Sequence, residues 1–175
     1  MTFVAQFSFA DSKDITGELP GDVLMIFGNQ WTLWEGDWRD DPSALQFHWM
    51  PFGETTLIRL EQIPTRRGTE WEIIPCYGCI YRTLDYPDLG PEFVIEGTKI
   101  GGVPHWIQNE DPVGETFLCT LGSIQPVCQR PFPYVNVADP IEGWIADPPL
   151  MWGDVGSVFV FLDAALQAHW VMQCY

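Results

Sequence analysis

A chain of 175 residues that is 46% hydrophobic, with nine Trp, is long and apolar enough to bury a core without disulfides or metal, which excludes a disordered class. Its 24 acidic residues against 8 basic ones give a formal net charge of -16. That charge repels nucleic acid and anionic membranes, and it favours a basic protein or cations as partner, although solubility alone is an equally ordinary use of it.

Near the N-terminus Phe3, Ala5, Phe7 and Phe9 alternate with Val4, Gln6 and Ser8, a period of two that predicts a strand. Residues 11–20 are polar and have room for a short helical turn. Val23, Leu24, Met25, Ile26 and Phe27 predict a second strand. In residues 31–42 the character changes: Trp31, Trp34 and Trp38 lie among Glu35, Asp37, Asp40 and Asp41. The common use of such rings is to cover a core while the acids face water. The other use is recognition of a partner, and this is where acids and large aromatics are densest together.

Leu45, Phe47 and Trp49 alternate with Gln46 and His48 as a further strand, and residues 55–63 and 70–74 read as two more. Residues 84–91 hold Asp85, Pro87, Asp88, Gly90 and Pro91, a connection that divides the chain into units 1–91 and 92–175 of one compact domain. Gly101-Gly102-Val103-Pro104 predicts a tight turn, because glycine admits positive φ and Pro104 biases Val103 away from the helical region. Phe117, Cys119 and Leu121 mark a strand. Residues 126–149 contain six prolines and read as a long irregular loop. Next comes Val158-Phe159-Val160-Phe161-Leu162, a run with no wet face that suits a strand covered on both sides or a short buried helix; its shortness and the punctuation of its start by Gly153 and Gly156 favour the strand. Residues 164–170, rich in Ala, Leu and Gln, form the best helix candidate.

The two halves resemble each other. Phe3-Val4-Ala5-Gln6-Phe7 aligns with Phe117-Leu118-Cys119-Thr120-Leu121, and each is followed by Gly-Asp-Val and an apolar strand. The spacing differs, so this is a loose duplication and not a solenoid array. The expected fold class is α+β, mainly antiparallel β, with two loosely duplicated sheet units sharing a core and little helix.

The residues 99–108 (Lys-Ile-Gly-Gly-Val-Pro-His-Trp-Ile-Gln), Phe117 to Leu121, Trp152-Gly153-Asp154-Val155-Gly156 and Gln173-Cys174-Tyr175 together resemble the YwqG-like family of bacterial proteins, DUF1963. Phe3 to Gln6 and Leu19-Pro20-Gly21 with the following strand also resemble the family's first-half motif, so the resemblance touches both ends and the second half, and matches residues 30–91 only loosely. A first Gly-Gly-x-Pro motif is missing, which implies a shortened first unit. No catalytic residues carry over from the family. Its occurrence near toxin systems implies, by resemblance only, an immunity or partner-binding role.

Among residues that carry chemistry, Cys76-Tyr77-Gly78-Cys79 is a lone CxxC. A zinc site takes four ligands, and the remaining ones would have to come from Cys119, Cys128, Cys174, His48, His105 or His169. The expectation is no structural metal and no cofactor. Asp154, between two turn glycines, is expected to accept backbone N–H bonds. No nucleophile, phosphate-loop or dinucleotide signature is present. With no basic leader after Met1, no apolar run of membrane-spanning length and five irregularly spaced Cys, the expected setting is the cytoplasm.

Two functions follow as expectations. One is a non-enzymatic immunity-type protein that neutralises a basic partner such as a toxin through Trp34, Glu35, Asp37, Trp38, Asp40 and Asp41, without contact to nucleic acid or membrane. The other is an enzyme or small-ligand binder with a pocket between the halves near His105, Trp106 and Gln108.

Overall fold

The structure, a computed structural model, describes residues 2–28, 41, 43–51, 53, 81–110, 115–123 and 152–175. The strands expected at 55–63 and 70–74, the loop at 126–149 and the CxxC lie outside these residues. Among the described residues, two antiparallel sheets form. The first has the order β1 (Thr2–Ser8), β2 (Val23–Gly28), β3 (Leu45–Met50). The second has the order β4 (Lys99–Ile100), β5 (Thr116–Gly122), β6 (Ser157–Leu162), β7 (Ala168–Gln173). Helix among the described residues is limited to one turn, α1 (Lys13–Thr16), and two 3-10 turns, Pro87–Leu89 and Pro91–Phe93. The expected mainly antiparallel class is therefore the observed one.

The duplication is visible strand for strand. In β1 the register slips between Phe3 and Ala5, and in β5 it slips between Phe117 and Cys119. A bulge of this kind lets two successive residues turn toward one side. Leu118 and Cys119 accordingly both belong to the core, and Val4 and Ala5 both pack against it. Next to each bulge stands an edge-to-face aromatic pair: Phe3 on Phe27 at 5.8 Å, and Phe117 on Phe161 at 5.6 Å. Each hairpin is continued by the same backbone bond, from Phe9 N–H to Asp22 O at 2.7 Å and from Ser123 N–H to Gly156 O at 3.0 Å.

These correspondences revise two expectations. The strict alternation from Phe3 to Phe9 fails at the bulge, which turns Phe3 away from the core and leaves it 45% exposed. The Gly-Asp-Val triplets also prove not to correspond. Val23 and Ser157 are register equivalents, so Gly21-Asp22-Val23 matches Val155-Gly156-Ser157, and Gly153-Asp154-Val155 lies two residues upstream. Gly156 is demanded by a close approach. A Cβ there would run into the carbonyl oxygens of Gln173 and Trp152.

Leu24, Ile26 and Leu45 of the first sheet and Leu118, Leu121, Val158 and Val160 of the second share one buried cluster with Phe9 and Trp152. Strand β6 is buried along its whole length, as its unbroken apolar run requires. Val158, Val160 and Leu162 face the shared core. Phe159 and Phe161 face the other side, where Trp106 covers them with ring centroids 5.0 and 5.9 Å away.

The helix expected at 164–170 does not form. The Asp163 carboxylate accepts the N–H groups of Ala165 and Gln167, both at 2.8 Å, and so closes a turn where a helix would have begun. Ala168 onward then pairs with β6 as β7, and sheet pairing overrides the modest helix propensity of Ala, Leu and Gln.

Candidate functional site

Of the acidic-aromatic segment, Trp34, Glu35, Asp37, Trp38 and Asp40 lie outside the described residues. Asp41 stands just before β3. Its Oδ1 accepts Ser43 Oγ–H at 2.7 Å and Ser43 N–H at 2.9 Å, and these bonds hold its carboxyl below the usual carboxylate range. Cys76, Cys79 and Cys128 also lie outside. Cys119 and Cys174 are buried and free, and burial pushes the Cys119 thiol far above its usual range. No group of three or more metal-ligating side chains occurs among the described residues.

His105, Trp106 and Gln108 come together as a strap over the second sheet. The turn at Gly101 and Gly102, with φ of 66° and 77°, starts it as expected. Trp106 then lies over β6. Gln173, a buried residue of β7, fastens the strap: its Oε1 accepts the N–H groups of Ile107 at 3.0 Å and Gln108 at 2.9 Å, and its Nε2 donates to Asn109 O at 2.8 Å. Gln108 Nε2 donates in turn to Cys174 O at 2.8 Å. Asp154 is exposed, and it is its backbone carbonyl, not the expected carboxylate, that accepts the Tyr175 N–H.

A cleft of about 410 Å³ lies elsewhere, between β3 and the β6–β7 turn, lined by Pro20, residues 45–49 and residues 166–168. Leu166 enters it in a left-handed conformation, φ 60°, at a position usually given to glycine. That conformation costs an L-residue about 1–2 kcal/mol, whereas glycine loses about 0.5–1 kcal/mol in chain entropy. Leu166→Gly is therefore expected to leave stability unchanged or raise it by up to about 1 kcal/mol in urea denaturation. A loss of more than about 1 kcal/mol would mean that the side chain itself holds the turn.

Sequence reasoning missed the hub of the connection between the units. Asp85 Oδ2 binds Lys99 Nζ at 2.9 Å and accepts Val103 N–H at 3.1 Å, while Oδ1 accepts Ile95 N–H at 2.7 Å. The two side chains are only 9% and 11% exposed. Burial pushes the Asp85 carboxyl upward, but the Ile95 N–H, Lys99 and the Val103 N–H together outweigh it and hold it below its usual value. Lys99 is one of only two lysines in the chain, and a rare base among so many acids was the signal available. The other lysine, Lys13, pairs with Asp22 at 2.6 Å, and Arg82 clamps Asp14 at 2.7 and 2.9 Å. Every Lys and Arg among the described residues is thus held by a carboxylate.

No family model, curated protein or solved structure matches this chain.

Proposed function

We propose that the protein is a non-enzymatic binding protein of the cytoplasm that neutralises a basic partner, in the manner of an immunity protein set against a basic toxin or effector. The observation that carries this reading is the uncompensated charge. The described cations are already committed to carboxylates, while Asp11, Glu18, Asp88, Glu92, Glu110 and Asp154 remain exposed in a chain of net charge -16. Such a surface accelerates encounter with a basic protein, but attraction is screened beyond about 8 Å at physiological salt, so lasting affinity needs apolar contact as well.

Trp34 and Trp38 with Glu35, Asp37, Asp40 and Asp41 supply both in one stretch. Reversing Asp37, Asp40 and Asp41 to Lys is expected to slow association with a captured basic partner about tenfold at low salt and to flatten its salt dependence. Removing Trp34 or Trp38 is expected to speed dissociation. Charge reversals without kinetic effect, combined with Trp variants that unfold, would defeat the assignment of this segment. The small-ligand reading draws on the cleft between β3 and the β6–β7 turn, which joins the two units. Its site would be that cleft, because Trp106 is engaged in covering β6 and Gln108 in fastening the strap to Cys174 O.

A further inference from the structure

The connection between the units displays large apolar side chains while being tied down at both ends. Tyr81, Leu84, Tyr86, Leu89, Phe93 and Ile95 are 38–84% exposed. They do not hang on a loose loop. Tyr86 N–H donates to Phe93 O at 3.0 Å, and Ile95 N–H donates to the Asp85 carboxylate, so the stretch folds back on itself and brings 85 beside 95 and 86 beside 93. Two 3-10 turns led by Pro87 and Pro91 shape its tip, the first ending on Leu89. Arg82 pins its start to Asp14 and to Asp11 O, and Lys99 holds Asp85 from beneath. A surface of this kind, apolar and already ordered, binds without the entropy of ordering itself.

Its charge selects the occupant. Asp88, Glu92 and Glu96 border the apolar residues and all are exposed, while the bases nearest in sequence, Arg82 and Lys99, are engaged in ion pairs. A second copy of this chain would bring a charge of -16 against its own kind, and an anionic membrane would be repelled as well. We propose that residues 81–95 are a docking surface for a basic protein segment that carries aliphatic or aromatic side chains between its Lys and Arg residues. The proposal rests on the basic-partner reading and names a second place where that partner lands.

The test uses the full chain and two synthetic peptide sets, one of Lys and Arg interspersed with Leu and Phe, the other of equal charge with Ser and Gly instead. Fluorescence anisotropy is read on the wild type, on Leu89→Ser/Phe93→Ser, and on Asp88→Lys/Glu92→Lys. The expected result is tighter binding of the apolar set to the wild type. The first variant should lower that affinity about tenfold, to the level of the Ser and Gly set, and the second should weaken both sets. Because the replaced side chains are exposed, circular dichroism should match the wild type. If the apolar set binds wild type and Leu89→Ser/Phe93→Ser alike, this surface is wrong while the basic-partner reading stands. If neither set binds the wild type, both fall. A wild-type dimer in sedimentation that the Leu89→Ser/Phe93→Ser change dissolves would assign the surface to a second copy and overturn the proposal.

Discussion

Phe161→Ala is expected to destabilise the protein by about 3–5 kcal/mol in guanidinium denaturation, among the largest effects available to a single truncation. The ring is 3% exposed on an interior strand of the second sheet. It touches Phe117 edge-to-face at 5.6 Å and stacks under Trp106 at 5.9 Å. Truncation removes both contacts and leaves a void that the strap cannot easily fill, since Gln173 fixes the backbone of 107–109 from the neighbouring strand. A loss below about 1 kcal/mol would show that Trp106 collapses onto β6, and so that the strap is softer than its hydrogen bonds imply.

Asp85→Ala is expected to cost a similar amount, about 3–5 kcal/mol, for a different reason. It strands a nearly buried ammonium at Lys99 and leaves the N–H groups of Ile95 and Val103 without their acceptor. Replacing Asp85 and Lys99 together by apolar residues of similar size should recover part of the loss, because the desolvated charge is then gone. The pH dependence follows from the depressed Asp85 carboxyl. A carboxylate lowered on folding contributes stability that is complete above its unfolded value and is lost as pH falls through the folded one. The wild type should therefore keep this contribution down to its ordinary value of 3.8 and lose it only below. Asp85→Asn should show no such component, and equal acid sensitivity in both proteins would refute the assignment.

The parts of the fold that were legible in sequence are those set by side-chain pattern alone. Val158 to Leu162 is apolar at every position, and so short a run behind two turn glycines favours a strand covered on two sides, which is what forms. Gly101 and Gly102 announce a turn because few other residues adopt its φ. What was missed depends on partners distant in sequence or on a single inserted residue. The bulge at Val4 shifts the apolar period without changing composition, so Phe3 was read on the wrong face. Residues 164–170 read as helix because propensity is local, whereas the Asp163 turn and the pairing with β6 are not. Asp85 looked like one loop acid among several, and only the fold brings Lys99 and the Val103 N–H to it. The exposed ribbon was read as a mere boundary, because exposure is a property of the folded surface and not of the composition of residues 81–95.

The matched bulges and aromatic pairs have unequal surroundings. Phe161 sits beneath a fastened strap, whereas Phe3, the counterpart of its partner Phe117, is 45% exposed. One pattern written twice has thus been given two different duties. The copy in the second half is insulated by the strap and intolerant of change. The outer face of the first copy is freer to drift, so relatives of this chain should diverge fastest there while keeping the inward residues of both copies.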